Sequence, residues 1–513
     1  MRPFPTATPE PMKNFDPVPP LRISTGIAGM DHVLDGGLPA HHLYLLEGEP
    51  GSGKTTIGLQ FLRAGAQAGE RVLYVTLSES KEELQAVARS HGWSLDGIEI
   101  HELGSSIALD LAADQSVLHP SELELGETAE SILERVRRAE PDRVVIDSLS
   151  ELRLLAQDSL RYRRQVLSLK RFFATRRCTV LMLDDKSSRS TGLHVHSISH
   201  GVMGLSQTAS DYGPNRRGFR VHKLRGSTFR GGDHDVRLST GGLYIYPRLV
   251  ASEHRTGFEP ELRSTGNPSL DAMLGGGLAY GTSTLFLGPS GVGKTTTAMS
   301  CIVAALERGE KVSYCLFDEG IGTLLARCDV LGLGLGLRSH LASGQLNLLQ
   351  MDPGSISPGE FATLVRQEVE EGGSTILGID SLNAYLQAMS GSKALTLQMH
   401  ELLLYLNQRG VATILVLSQH GLFGEDRNEV DLSYLSDSIV LFRFFEAQGN
   451  LLKALSIVKS RVARHESAIR EFRLSAQGLA IGDALRDFEG VMRGVPAYRG
   501  TQALMVDQES AAC

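Results

Sequence analysis

A glycine-rich octet ending in Lys-Thr occurs twice in this chain, 240 positions apart (Lys54 and Lys294). The first copy is Gly48-Glu-Pro-Gly51-Ser52-Gly53-Lys54-Thr55, followed by Thr56; the second is Gly288-Pro-Ser-Gly291-Val292-Gly293-Lys294-Thr295, followed by Thr296. The spacing has a physical cause. Glycines let the backbone curl until its N–H groups face inward around an anion, and the helix that follows points its positive end at the same place. One match is compatible with a plain glycine turn before a helix. Two, each between an apolar run and a helix-patterned segment, predict a duplicated polyphosphate site. ATP and Mg²⁺ are the expected ligands, with Lys54 and Lys294 on the β- and γ-phosphates and the hydroxyls of Thr55 and Thr295 on the metal.

The duplication extends well beyond the octets. Ser24-Thr25-Gly26 returns as Ser264-Thr265-Gly266, Asp31 as Asp271, Gly36-Gly37-Leu38 as Gly276-Gly277-Leu278, and Glu79 as Glu319. Further on, Asp147 returns as Asp380, and Lys223-Leu224-Arg225 as Lys459-Ser460-Arg461. So long a period marks duplicated domains rather than a solenoid. The predicted domains are residues 21–250 and 255–490, parted within the polar stretch 249–260, with a flexible proline-rich tail over 1–20 and a second tail over 491–513. Inside the first copy, short apolar runs at Leu43–Leu46, Val72–Leu77, Val144–Ile146 and Thr179–Leu183 alternate with helix-patterned segments such as Thr55–Ala68. That alternation predicts an α/β fold with a mostly parallel twisted sheet flanked by helices.

Acids at strand ends supply the remaining candidates. Asp147 and Asp380 each close an apolar run and predict the second Mg²⁺ contact, through water. Phosphoryl transfer also needs a group that orients or deprotonates the attacking oxygen. Ser78-Glu79 and Asp318-Glu319, after the next apolar run of each copy, predict that role for Glu79, Glu319 and Asp318. Ser78 or Ser80 also suits the cap of a helix beginning at Lys81, a reading compatible with the catalytic one.

Composition excludes several classes. The net charge is −8, which lacks the basic balance of a dedicated nucleic-acid coat. Five scattered cysteines without a CxxC pair argue against a zinc site and against a disulfide framework. No apolar run nears the roughly 18 residues that span a bilayer, and the N-terminus has no signal-peptide core, so a cytoplasmic location without membrane contact is expected.

With these motifs in order, residues 21–490 resemble the KaiC family, the tandem RecA-like P-loop ATPases of the cyanobacterial clock and their bacterial relatives. The resemblance includes the Ser-Thr-Gly entry and the P-loop of each copy, Thr76-Leu-Ser-Glu79-Ser80, Phe317-Asp318-Glu319-Gly320, His91-Gly92-Trp93, Ile146-Asp147-Ser148, Ile379-Asp380-Ser381-Leu382, His222-Lys223-Leu224-Arg225-Gly226, Ala468-Ile469-Arg470-Glu471-Phe472 and Phe488-Glu489. It implies two RecA-like domains, a double-ring homohexamer with ATP at subunit interfaces, acids that act as the base in each domain, and signalling partners. It also implies that Lys223 with Arg225, and Lys459 with Arg461, reach the γ-phosphate held by a neighbouring subunit. Alternate residues of a strand share a face, so one strand can aim both charges together. Three departures stand out. Ser78 and Asp318 replace glutamates, Val462 replaces a glycine after Arg461, and the Ser-Thr phosphorylation site of clock members reads Ser433-Tyr434. Ser433 is therefore the one candidate phosphosite for a serine autokinase in domain two. The short tail after Phe488 does not suit a stimulatory clock partner.

The sequence supports a signalling or timing ATPase first. A DNA-dependent motor on the same core is the alternative, with the basic stretch Asn215–Arg230 lining a channel, although that stretch also suits a subunit-interface strand. A nucleotide-gated scaffold is a third class. Nucleic acid is not an expected partner.

Overall fold

A computed structural model describes residues 21–103, 120–156, 158–186, 193–209, 213–259, 261–352, 354–388, 395–419, 435–447, 449–491 and 497–498. The chain divides into two compact units, the first formed by residues up to 208 with 216–248, the second by 209–215 with residues from 249 onward.

The first unit is built on nine strands: β1 (Leu43–Gly48), β2 (Val72–Thr76), β3 (Ile98–Glu102), β4 (Arg143–Asp147), β5 (Thr179–Asp185), β6 (Gly201–Thr208), β7 (Arg216–Leu224), β8 (His234–Ser239) and β9 (Gly242–Tyr246). They form one sheet in the order β9-β8-β7-β6-β1-β5-β4-β2-β3. From β6 to β3 all neighbours are parallel, and β7, β8 and β9 extend the sheet as an antiparallel meander. The central strands are buried on both faces, as parallel sheets require. Tyr44 and Leu46 of β1 pack with Ile57, Phe61 and Leu62 of helix α1 (Lys54–Gln67). Leu43 and Leu45, alternating to the other face, pack with residues of the helices α3 (Pro120–Ala139), α4 (Leu149–Ala156) and α5 (Ser159–Ala174). Helix α2 (Lys81–Ser90) follows β2, and the short helix α6 (Leu193–Ile198) precedes β6.

The second unit repeats this plan. Its strands are β10 (Ser283–Pro289), β11 (Val312–Leu316), β12 (Leu346–Gln350), β13 (Ile376–Asp380), β14 (Ala412–Gln419), β15 (Ser438–Ala447), β16 (Asn450–Ser460), β17 (Arg470–Ser475) and β18 (Gly478–Ala484). The order β18-β17-β16-β15-β10-β14-β13-β11-β12 is the same topology strand for strand. Helix α7 (Lys294–Glu307) follows the second glycine loop, and α8 (Ile321–Val330) follows β11. Both units are thus mostly parallel sheets with helices on both faces, the fold class expected from the alternation.

Register fixes where chemistry can gather. Gly48 is paired with Asp185, Asp147 with Leu183 and Thr76 with Asp147. The carboxyl ends of β1, β5, β4 and β2 therefore lie along one edge, where open α/β sheets form their ligand crevices.

Candidate functional site

In the first unit the turn after β1 is shaped by left-handed glycines. Gly51 has φ 76° with open space where a Cβ would point, and Gly53 has φ 105° and caps α1 with no side-chain hydrogen bond to the first helical N–H groups. Ser52 is fully buried and its Oγ has no partner among the described residues. Lys54 curls over the loop and donates to the carbonyls of Gly48 and Glu49, both at 3.0 Å, and forms a 2.8 Å ion pair with Asp185. Thr56 is buried one position beyond Thr55, at the base of the helix. Thr55 Oγ1 donates to Asp147 Oδ2 at 2.9 Å, and the Tyr74 hydroxyl donates to the same oxygen at 2.6 Å. Burial pushes the Asp147 carboxyl above its usual range, against these hydrogen bonds and the Lys54 charge.

These features fit a magnesium polyphosphate. The loop offers uncapped helix N–H groups and a lysine at one point, and a buried hydroxyl–carboxylate pair of hard oxygen donors beside it.

Glu79 stands at the mouth of the same edge. Thr76 Oγ1 donates to its carbonyl and accepts from its N–H, fixing the backbone. Ser80, not Ser78, caps α2: Ser80 Oγ accepts from Glu83 N–H, and the Glu83 carboxylate accepts from Ser80 N–H. That frees the Glu79 side chain, whose buried Oε2 has no partner among the described residues. Burial, then the Asp147 and Glu83 charges, push Glu79 up to about 7. Ser78 is exposed.

The second unit repeats the loop geometry. Gly291 and Gly293 have φ 78° and 118°, Val292 is fully buried, and Thr296 is buried behind Thr295. Lys294 Nζ donates to Gly288 O at 2.8 Å and Pro289 O at 2.7 Å; Thr295 Oγ1 donates to Asp380 Oδ2 at 2.7 Å, and the Tyr314 hydroxyl at 2.9 Å. Burial holds Asp380 high and pulls Lys294 down to about 8, against the attraction of Asp380 and Asp318. The acids differ from the first unit. Glu319 is ion-paired with Arg327 of α8 at 2.5 Å, and Asp318 accepts from the Ser381 hydroxyl. Burial still raises Glu319, opposed by Arg327.

The Lys-x-Arg pairs lie elsewhere. Val202 pairs with Leu45 on one side and with Lys223 on the other. Lys223 is thus two strands across from β1 and three residues, about 10 Å, below Gly48, and Arg225 lies further down. The second unit matches, with Leu285 beside Ile439 and Ile439 beside Lys459. Each pair sits toward the amino-terminal edge of its sheet, away from the P-loop of its own unit. Gly226 turns with φ 63°, whereas Val462 takes no positive φ, so the chain leaves Arg461 along a different path. Ser433 lies outside the described residues.

Sequence reasoning missed Tyr74 and Tyr314, although their separation of 240 positions carried the signal. It also missed Asp185 and Arg327. The repeat holds Ser418 at the register of Asp185 and Val87 at 240 positions before Arg327, so no recurrence marked either.

Comparison with known proteins bears on both units. The family described as "ATPase: KaiC" matches residues 23–250 and again 263–486. The chain is similar to the circadian clock protein KaiC3 of Synechocystis sp., with 25% identity over 486 residues covering 93% of this chain and 95% of that protein. It is also similar to the circadian clock oscillator protein KaiC of Parasynechococcus marenigrum, 26% over 485 residues and 93% of each chain. The protein of the same name from Picosynechococcus sp. shows 26% identity over 499 residues, 95% of this chain and 94% of that one. Among the described residues no helix is long and apolar enough to cross a membrane.

Proposed function

This chain belongs to the KaiC ATPase family, and from that premise we propose that it binds Mg-ATP once in each repeat and hydrolyses it as a ring-forming timing or signalling protein of the cytoplasm. The observation that carries this reading is the recurrence, at the same sheet edge of both repeats, of a P-loop lysine, a Thr–Asp pair and a strand-end acid. Domain one would be residues 21–250 and domain two 255–490.

The geometry supports the following roles. Lys54 and Lys294 leave the loop carbonyls for phosphate oxygens, and the N–H groups around Gly51–Gly53 and Gly291–Gly293 hold the remaining charge. Thr55 with Asp147, and Thr295 with Asp380, would hold Mg²⁺, which when bound neutralises phosphate charge. Glu79 accepts the proton of the attacking water; a base near 7 is matched to neutral operation. In domain two Asp318 and Glu319 share that role. Lys223 and Arg225, and Lys459 and Arg461, are far from the P-loop of their own unit and would serve the site of an adjacent copy. That requirement supports a homo-oligomer with nucleotide at its interfaces, a hexamer by family likeness. Serine autophosphorylation at Ser433 rests on the motif alone; phosphate absent from residues 431–438 after incubation with Mg-ATP removes it.

A DNA-dependent motor is not favoured. The family match accounts for both P-loops, and within the basic stretch Arg220 is ion-paired with Asp233. Titration calorimetry tests the main reading: two Mg-dependent nucleotides per chain are expected, and uptake in neither half overturns it. Hydrolysis that rises sharply with single-stranded DNA would reinstate the motor.

A further inference from the structure

The last three carbonyls of the short helix α6, and that of Ser199 just after it, are each reached by a cation. Lys223 Nζ donates to His196 O and to Ser199 O, the latter at 2.8 Å; Arg225 Nη2 donates to Ser197 O at 2.8 Å; and Lys170 Nζ of α5 donates to Ile198 O at 2.6 Å. Cations suit a helix carboxyl end, where the carbonyls lack partners and the dipole is negative. Both cations assigned to the neighbouring site are therefore seated on one six-residue helix.

That helix is tied to the strand of the P-loop. His196 Nε2 lies 2.7 Å from Glu47 Oε2, and Glu47, 14% exposed, immediately precedes Gly48. A carboxylate only accepts, so Nε2 carries the proton. His222 Nε2 lies 4.0 Å from the other Glu47 oxygen, on the strand that bears Lys223. The arrangement is not a by-product of the fold. In domain two Leu287 occupies the register of Glu47, and Arg461 is held instead by the Asp437 carboxylate at 3.4 Å, with Lys459 on Ser436 O.

We propose that His196, anchored by Glu47, is a positioning residue that sets the placement of Lys223 and Arg225 for the nucleotide of an adjacent subunit. The proposal rests on the reading that these cations act in trans. Loss of the His196–Glu47 contact lets α6 shift, and its carbonyls move as one body, so both cations lose their seat together. Displacement of about 1 Å can cost roughly 100-fold in rate; the remaining hydrogen bonds of α6 limit the effect here to about tenfold in kcat. The KM for ATP stays within about twofold, because Lys54 and its loop are untouched.

The test uses the full chain with Lys294→Ala in every subunit, so that only domain one turns over. His196→Ala is expected to lower kcat about tenfold, and His196→Gln, which keeps a donor toward Glu47, to retain most activity. In the nucleotide-free protein, amide exchange over residues 195–200 should quicken in His196→Ala and not in His196→Gln; unchanged exchange in both overturns the proposal. Mixing then assigns the direction. Lys54→Ala subunits have a dead loop but intact cations. Assembled at random with His196→Ala subunits, they should restore about a quarter of the parental rate, the share of interfaces that join an intact loop to seated cations. Arg225→Ala mixed with Lys54→Ala is the control for trans action. If that control shows no recovery, the trans reading fails and the proposal with it. If the control recovers and the His196→Ala mixture does not, His196 acts on its own loop and the proposal alone fails. Glu47→Leu, the domain-two residue at that register, repeats every arm should His196→Ala not fold.

Discussion

The two units build the same glycine loop and surround it with different charges. Lysine on loop carbonyls, threonine and tyrosine on a buried aspartate, and left-handed glycines recur in both. The surrounding charges diverge. In domain one Glu79 has a buried oxygen without a partner among the described residues and is pushed up to about 7, while in domain two Glu319 is held by Arg327. Domain one ends its strands with Glu47, Asp184 and Asp185, where domain two has Leu287, Leu417 and Ser418. A loop that cradles polyphosphate must match a fixed shape, so its geometry is constrained. A base needs only an oxygen and a suitable environment, so it can drift once a duplication provides two copies.

The largest test of this contrast concerns the shared part. Lys54→Ala and Lys294→Ala should each remove one of two bound nucleotides, and calorimetry should count one per chain in either variant and none in the double variant. Next comes the divergent part. Glu79→Gln, in the Lys294→Ala background, should lower kcat by about 10²- to 10⁴-fold, the usual worth of a positioned base, while nucleotide affinity changes little. A steady-state assay with a direct binding measurement checks both; an unchanged kcat removes Glu79 as the base.

A pH series sharpens the same contrast. With Glu79 as the proposed base, the rate of hydrolysis by domain one should climb as pH rises through about 7. Because the folded value is raised above the ordinary 4.5, Glu79 contributes stability that is full below about 4.5 and lost as pH rises through about 7. Glu79→Gln should therefore raise the domain-one Tm at pH 8 and leave it little changed at pH 4. In domain two Arg327→Val, the residue found at the matching place in domain one, removes the opposing charge. Its pH–rate curve should move upward by a fraction of a unit to about one unit, the effect of a partly exposed ion pair; a curve that does not move shows that Arg327 leaves the base alone.

The smallest expected effect lies in the caps of the following helices. Ser80 closes a capping box with Glu83, whereas Gly320 at φ −76° and ψ 149° offers α8 no side-chain cap. Ser80→Ala should cost about 1 kcal/mol and Gly320→Ser gain a few tenths, both read from denaturant midpoints.

The sequence by itself determined the duplication, the α/β plan and the residues of the two glycine loops. Those depend on local chain geometry: glycines at fixed intervals, apolar alternation, an acid ending a run. Each leaves a mark within about ten residues and a second mark 240 positions later. Tertiary structure decided what depends on register and on facing elements. Only strand pairing carries Lys223 and Arg225 away from the loop of their own unit, sets Asp185 against Lys54, and brings His196 to Glu47 across 149 residues of chain. Only the turn of α8 lays Arg327 on Glu319. An ion pair needs proximity and not a spacing, so residues that act by electrostatic contact alone leave no pattern to read.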